Sequence, residues 1–250
     1  MTIQIFINTF VILYGLVIGS FLNVCIYRLP KKEGIVMTRS HCMKCGHKLQ
    51  WFELIPVFSY VVLRGRCRQC KDKISIQYPL VELLNAIGYV WIFLNNGVNV
   101  ESIVYCLFTS VLIVVSFIDA KTLEIPIGCN YIIALLGGLH IIMDLEHWKS
   151  YVIGAVCVSG FLLILYVITK GQGIGGGDIK LMATCGLLLG ASKIVVAFML
   201  GCILAAVIHL IRMKVSDAGR QLAFGPYLCT GVWIALLYGN QMIQWYLSTL

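Results

Sequence analysis

The sequence predicts an all-α polytopic membrane protein of about eight transmembrane helices. Three observations predict it. Of the 250 residues, 60% are hydrophobic and only 12% charged, against roughly 25% charged in an average soluble domain. Mean hydropathy is +0.91. Apolar stretches also recur near the length of about 20 residues that a helix needs to cross a hydrocarbon core about 30 Å thick. They fall at about residues 3–27, 79–95, 103–119, 127–143, 151–169, 179–190, 194–213 and 224–247, the sixth being short.

The first stretch is expected to remain in the mature protein, because residues 1–10 lack the basic start of a cleaved secretory signal. Gly15 and Gly19 stand four apart in it, as do Gly186 and Gly190 later. Small residues at that spacing let helix backbones approach closely in lipid. After the first stretch comes the one long polar loop, Arg28 to Tyr78, with eleven of the nineteen Lys and Arg residues against the acids Glu33, Glu53 and Asp72. The positive-inside bias puts this loop in the cytoplasm and the N-terminus outside. Eight crossings then also leave Lys121, Lys170, Lys180, Arg212, Lys214 and Arg220 inside, with only Lys149 and Lys193 outside. The net charge of +8 is thereby gathered on one face, where membrane lipid of the anionic inner leaflet attracts it; nothing in its pattern argues for nucleic acid.

Within the loop, HCMKCGHKL carries Cys42 and Cys45, and GRCRQCKDK carries Cys67 and Cys70. Two Cys-x-x-Cys knuckles can close four thiolates into the tetrahedral shell that zinc prefers. A reducing cytoplasm disfavours the disulfide alternative. The fold class is thus completed by a small cytoplasmic zinc-binding insert, with little core of its own and with metal binding supplying much of its folding energy. His41 and His47 flank the first knuckle, but four thiols already fill the shell. Cysteines 25, 106, 129, 157, 185, 202 and 229 have no paired spacing and read as small buried apolar residues. His140 and His209 read as helix-to-helix hydrogen-bonding groups.

Two acids sit where lipid discourages them. Asp119 ends the third apolar stretch in SFIDAKTLEIP, and Asp178 opens the sixth in GIGGGDIKL. Both fall at the cytoplasmic ends of their helices and can face one water-accessible region. Ionisable groups at such depth cost several kcal/mol by most estimates, which makes them functional candidates. Two carboxylates brought close cannot both ionise easily. One then stays protonated while the other is anionic, the division of labour by which aspartic proteases activate water and protonate a leaving group. Gly175, Gly176 and Gly177 are expected to give unusual backbone angles and close approach of a second chain. The alternative is that Asp178 is simply an N-cap residue. The run from Gly171 to Gly176 also matches G-x-G-x-x-G, but no strand precedes it. Glu82 lies one turn into the second stretch, where it could reach the same cavity or serve only as an acid near a helix start. Glu124 and Asp217 read as solvated loop residues.

Four segments together resemble the bacterial type IV prepilin peptidases, membrane aspartic proteases of the Gly-x-Gly-Asp class. They are GSFLNVCIYRLP (19–30), the knuckles with IPVFSYVVLRGRCRQC (55–70), ISIQYPLVELL (74–84) and GGGDIKL (175–181). They run in the family's order and, with the helices between, cover nearly the whole chain. The resemblance implies that Asp119 and Asp178 are the catalytic pair, with Gly175 and Gly177 as the fixed glycines of the motif and Cys42, Cys45, Cys67 and Cys70 as zinc ligands. It implies cleavage of the basic leader of type IV prepilins or pseudopilins at the cytoplasmic face of the bacterial inner membrane. It further implies N-methylation of the new N-terminal residue from S-adenosylmethionine, for which no residue pattern identifies a binding site. The chain departs from the family in two places: Ile127 follows Pro126 where Asn or Asp is common, and Glu53 stands where aspartate is frequent.

The resulting organisation is a first transmembrane helix (1–27), a cytoplasmic zinc-knuckle insert (28–78) and a transmembrane aspartic peptidase bundle (79–250). Two other readings compete. An ion-coupled membrane transporter would also place carboxylates at glycine-broken helices, and a zinc-dependent membrane scaffold would use the acids only as caps.

Overall fold

The computed structural model describes residues 2–35, 39–215 and 222–249; Asp217 and Arg220 lie outside them. Regular structure among the described residues is helical, with no strand. The α-helices are α1 (Thr2–Arg28), α2 (Phe58–Val62), α3 (Gln77–Asn96), α4 (Val100–Thr122), α5 (Ile127–Met143), α6 (Trp148–Ile168), α7 (Gly176–Leu189), α8 (Ala191–Val215) and α9 (Gly225–Ser248). Each of the eight predicted apolar stretches is one of these helices, with ends displaced by three residues or fewer. Six of the eight begin one to three residues before their apolar stretch, taking in polar residues such as Gln77, Glu101, Lys149 and Lys193 that hydropathy leaves out. In α4, for example, the Asn99 Oδ1 accepts the Ser102 N–H at 2.7 Å, satisfying one of the unpaired donors of the first turn.

Four helical stretches are long and apolar enough to cross a membrane: Ile5–Arg28, Val100–Thr122, Leu145–Ile168 and Ala191–Met213; α5 is a shorter apolar helix. Their outer faces are apolar too. On α6, Ile153, Val156, Leu163, Ile164 and Val167 are all more than half exposed, an arrangement suited to lipid and not to water. The chain is a multi-pass membrane protein.

It divides into two compact units, Met1–Val114 and Val115–Leu250, the division falling inside α4. In the first, α1 packs on α3. A Cβ added at Gly19 would lie 2.6 Å from the Glu82 Cα, and one at Gly15 2.7 Å from the Ala86 Cα. The glycine pair on α1 therefore meets a pair four apart on α3. A polar thread runs beside the crossing: the Asn85 Nδ2 donates to the Gly15 carbonyl at 2.8 Å. The Ser110 hydroxyl of α4 donates to the Asn85 Oδ1 at 2.8 Å, and the Tyr89 hydroxyl lies 2.8 Å from the Ser110 oxygen. Lipid tails are as apolar as leucine, so close van der Waals contact and interhelical hydrogen bonds, about 0.6–2 kcal/mol each, hold such helices together.

In the second unit, α7 packs on α5 and α6, and α8 on α6 and α9. Gly154 of α6 faces Gly186 of α7 so closely that an added Cβ would lie 2.7 Å from the Gly186 carbonyl oxygen. Gly190 alone separates α7 from α8; its φ of +78° suits a residue without a Cβ, and its N–H closes α7 on the Gly186 carbonyl at 3.0 Å. His140 of α5 and Tyr151 of α6 meet at 3.3 Å, the helix-to-helix role expected of that histidine. His209 is half-buried in α8. Of the seven cysteines outside the knuckles, 25, 106, 129, 185 and 229 are buried, whereas Cys202 is half-buried and Cys157 exposed.

Candidate active site and metal centre

Asp119 lies in the last turn of α4 and Asp178 in the first turn of α7, and both are buried. The α4 end is closed by the Leu123 N–H, which donates to the Asp119 carbonyl at 2.9 Å. With Leu123 at a φ of 56°, the chain turns through Glu124 and Ile125 to Pro126, the N-cap of α5. On the other side Gly175 caps α7, so Asp178 is the third residue of the helix and not its cap. The N-cap alternative for Asp178 is thus corrected: the backbone enters the helix earlier than hydropathy suggests, because Gly176 and Gly177 adopt helical geometry. None of residues 175–177 has a positive φ; in this loop only Lys170 and Gly171 do. Close approach, in contrast, is present. A Cβ on Gly177 would lie 3.2 Å from the Ile125 Cβ, and one on Gly175 3.1 Å from the Asp178 Oδ2.

The two carboxylates line one open cavity of about 350 Å³, together with Glu124, Asn130, Gly175, Gly176, Gly177 and Lys180. Asp119 is held at its far side, where its Oδ2 accepts the N–H of Gly225 at 2.9 Å. Gly225 is the first residue of α9, so its N–H is among those that a helix leaves unpaired, and a carboxylate there also meets the positive end of the helix dipole. A side chain at 225 would intrude, since its Cβ would lie 2.7 Å from that oxygen. One carboxylate anchored by a backbone donor and a second beside it can divide the roles of base and acid toward a water between them.

Sequence reasoning missed Gly225 and Asn130. The Gly-Pro pair at 225–226 signals a helix start, but nothing local ties it to a carboxylate 106 residues away. Asn130 leaves one faint mark, a lone carboxamide in the apolar run IGCNYII. Glu124 is exposed, as expected of a loop acid. Glu82 is buried, and its Oε2 accepts the Val57 N–H at 2.7 Å. That bond fixes Val57 at a φ of 59°, an unusual angle for a β-branched residue, and ties the turn before α2 to α3.

The four knuckle cysteines converge. Their Sγ atoms all lie within 4.8 Å of one another, with Cys42 to Cys70 at 3.8 Å and Cys45 to Cys67 at 4.0 Å. A tetrahedron with Zn–S bonds of about 2.3 Å has edges of about 3.8 Å, so the residues fit the metal. The knuckles are built alike. The Cys42 N–H bonds the His47 carbonyl at 2.9 Å and the Cys67 N–H the Asp72 carbonyl at 2.8 Å. Antiparallel bridges His41–Lys48 and Arg66–Lys73 close each loop. Backbone donors of Cys45 and Lys44 lower the Cys42 thiol, whereas burial and the neighbouring thiols raise that of Cys70. The flanking histidines are engaged elsewhere: His41 Nδ1 lies 3.2 Å from the Arg39 carbonyl, and His47 Nε2 lies 3.1 Å from the Glu53 Oε2.

The family described as "Bacterial Peptidase A24 N-terminal domain" matches residues 13–96, and the "Type IV leader peptidase family" matches residues 106–210. Proteins named "Prepilin leader peptidase/N-methyltransferase" are similar over nearly the full length. That of Aeromonas salmonicida (strain A449) is 33% identical across 96% of this chain and 94% of its own. That of Bacillus subtilis (strain 168) is 31% identical across 94% and 96%, and that of Pseudomonas aeruginosa 33% across 95% and 92%. No solved structure matches the chain.

Proposed function

We propose, because the chain belongs to the type IV leader peptidase family, that it is a membrane-embedded aspartic endopeptidase that removes the leader peptide from type IV prepilins or pseudopilins. It also N-methylates the new N-terminal residue, with S-adenosylmethionine as methyl donor. The observation that carries the peptidase reading is the meeting of Asp119 and Asp178, from different helices, at one cavity. In the proposed reaction one carboxylate takes a proton from water as the water adds to the scissile carbonyl, and the other protonates the departing amine. Gly175 and Gly177 leave room for the carboxylate and for the α4–α5 turn. Family membership disfavours the transporter reading, which requires no hydrolysis.

All eight long helices cross the bacterial inner membrane in this reading, with the N-terminus outside and both carboxylates facing the cytoplasm; seventeen of nineteen basic residues then lie inside. The first transmembrane helix (1–27), the cytoplasmic insert (28–78) and the peptidase bundle (79–250) divide the work. Cys42, Cys45, Cys67 and Cys70 hold one structural zinc, which supplies folding energy to the insert and takes no part in hydrolysis. No residue is assigned to the methyl donor. The decisive experiment incubates purified full-length protein in detergent with a prepilin, with and without S-adenosylmethionine, and weighs the product. A mass equal to the leaderless chain supports the peptidase, and a further methyl group with the donor present supports the second activity. An uncut prepilin refutes the first.

A further inference from the structure

The cavity holding the two carboxylates contains a polar side chain with no hydrogen-bond partner among the described residues. Asn130 sits in the first turn of α5, only 4% exposed, and lines that cavity. Neither its Nδ2 nor its Oδ1 has a hydrogen-bond partner among the described residues. A buried donor or acceptor left unpaired is costly, whereas an apolar residue of similar size would cost nothing. Ile133, fully buried three residues further on, shows that the inward face of this helix accepts an apolar side chain. The carboxamide is explained by something that arrives from outside, offering one donor and one acceptor side by side.

Among the groups that a peptidase meets, an extended backbone offers that pair. The N–H and C=O of one residue in an extended chain point to the same side, which is how antiparallel strands exchange two hydrogen bonds at one residue. We infer that Asn130 binds the substrate backbone next to the scissile bond, its Oδ1 accepting a peptide N–H and its Nδ2 donating to the C=O of the same residue. The inference rests on the peptidase function proposed above and adds to it the means of holding an extended substrate against the carboxylates. A neutral amide suits this task beside two acids, since it neither repels them nor competes for their shared proton. Its polar atoms are closed off from solvent, so bonds formed there face little competition from water. The adjoining turn, which lines the same cavity, is exposed at Leu123 and Glu124.

The test uses full-length protein in detergent and synthetic prepilin peptides spanning the cleavage site. In one series a single backbone N–H at a time is replaced by an ester oxygen. Wild type is expected to cut the all-amide peptide and to lose about 10- to 100-fold in kcat/KM at one ester position. Asn130→Leu and Asn130→Ala are expected to lose a similar factor on the all-amide peptide, mainly through KM, and to show no further loss at that ester position. Asn130→Leu is expected to melt at or above the wild-type temperature, which a merely structural amide would not allow. Cleavage by both variants within about twofold of wild type, or ester penalties equal in wild type and variants at every position, overturns the inference while leaving the peptidase intact. A wild-type protein that cuts no peptide removes both together.

Discussion

The cysteine cluster and the carboxylate cavity are both built from four or fewer reactive side chains, yet the chain specifies them in opposite ways. Each half of the cysteine cluster is a hairpin that makes its own hydrogen bonds: Cys42 to His47 and Cys67 to Asp72. Its geometry is local, and only one loop closure joins the halves. The carboxylate cavity has no local half. Asp119, Asn130, Asp178 and Gly225 sit at the ends of α4, α5, α7 and α9, and each is placed by packing of whole helices. A site of the first kind can be lost and regained with its ligand, whereas a site of the second kind persists as long as its bundle does.

The sharpest way to break that contrast is at the carboxylates. Asp119→Asn and Asp178→Asn are each expected to lower cleavage by at least about 10³-fold with unchanged helix content by circular dichroism; substantial cleavage by either variant would remove the pair from the mechanism. Next comes the metal. Purified protein is expected to carry about one zinc per chain, and Cys67→Ser to carry none. Its insert should become protease-sensitive between residues 40 and 75 while the membrane helices keep their protection. An equally protected insert would show that the knuckles fold without metal.

A smaller effect is expected at Gly225→Ala. Its Cβ would crowd the anchored oxygen of Asp119, and a shift of that carboxylate should reduce kcat by about 10- to 100-fold with KM nearly unchanged. The smallest effect concerns Glu53. Burial alone would raise its carboxyl, but the Gln50 N–H and His47 outweigh burial and hold it below the usual carboxylate range. Its contribution to the insert is therefore complete above the ordinary value of about 4.3 and fades as pH falls through the lower folded value. Melting curves of wild type and Glu53→Gln should differ at neutral pH and converge in acid; a constant difference would deny the carboxylate its role.

Much of this was legible in the residues. Hydropathy located eight helices because a stretch such as LFTSVLIVVSFI admits no other solution in lipid, and two Cys-x-x-Cys pairs name their own partners. The glycines at 15 and 19 and at 186 could be read as contact points, though not which helix each would meet. Harder to read was anything decided by backbone entry angles. Gly176 and Gly177 look like loop residues and are helical, which moves Asp178 from cap to interior. Gly225 and Asn130 were hidden for a deeper reason, since an N–H and a carboxamide gain their meaning only from a neighbour distant in sequence. Five-residue α2 escaped notice because it is too short for its pattern to repeat.

One asymmetry between the matched knuckles carries a consequence of its own. At equivalent places, the residue after the second cysteine has a φ of 71° in one hairpin and 59° in the other, but the first is Gly46 and the second Lys71. Glycine adopts that twist freely, whereas lysine does so at a cost of about 1 kcal/mol. In the zinc site proposed above, the lysine side would therefore gain more by opening than the glycine side if the ion were withdrawn. Withdrawing a bound ion with a chelator would then be expected to open that hairpin first and to leave the glycine hairpin nearer its closed shape.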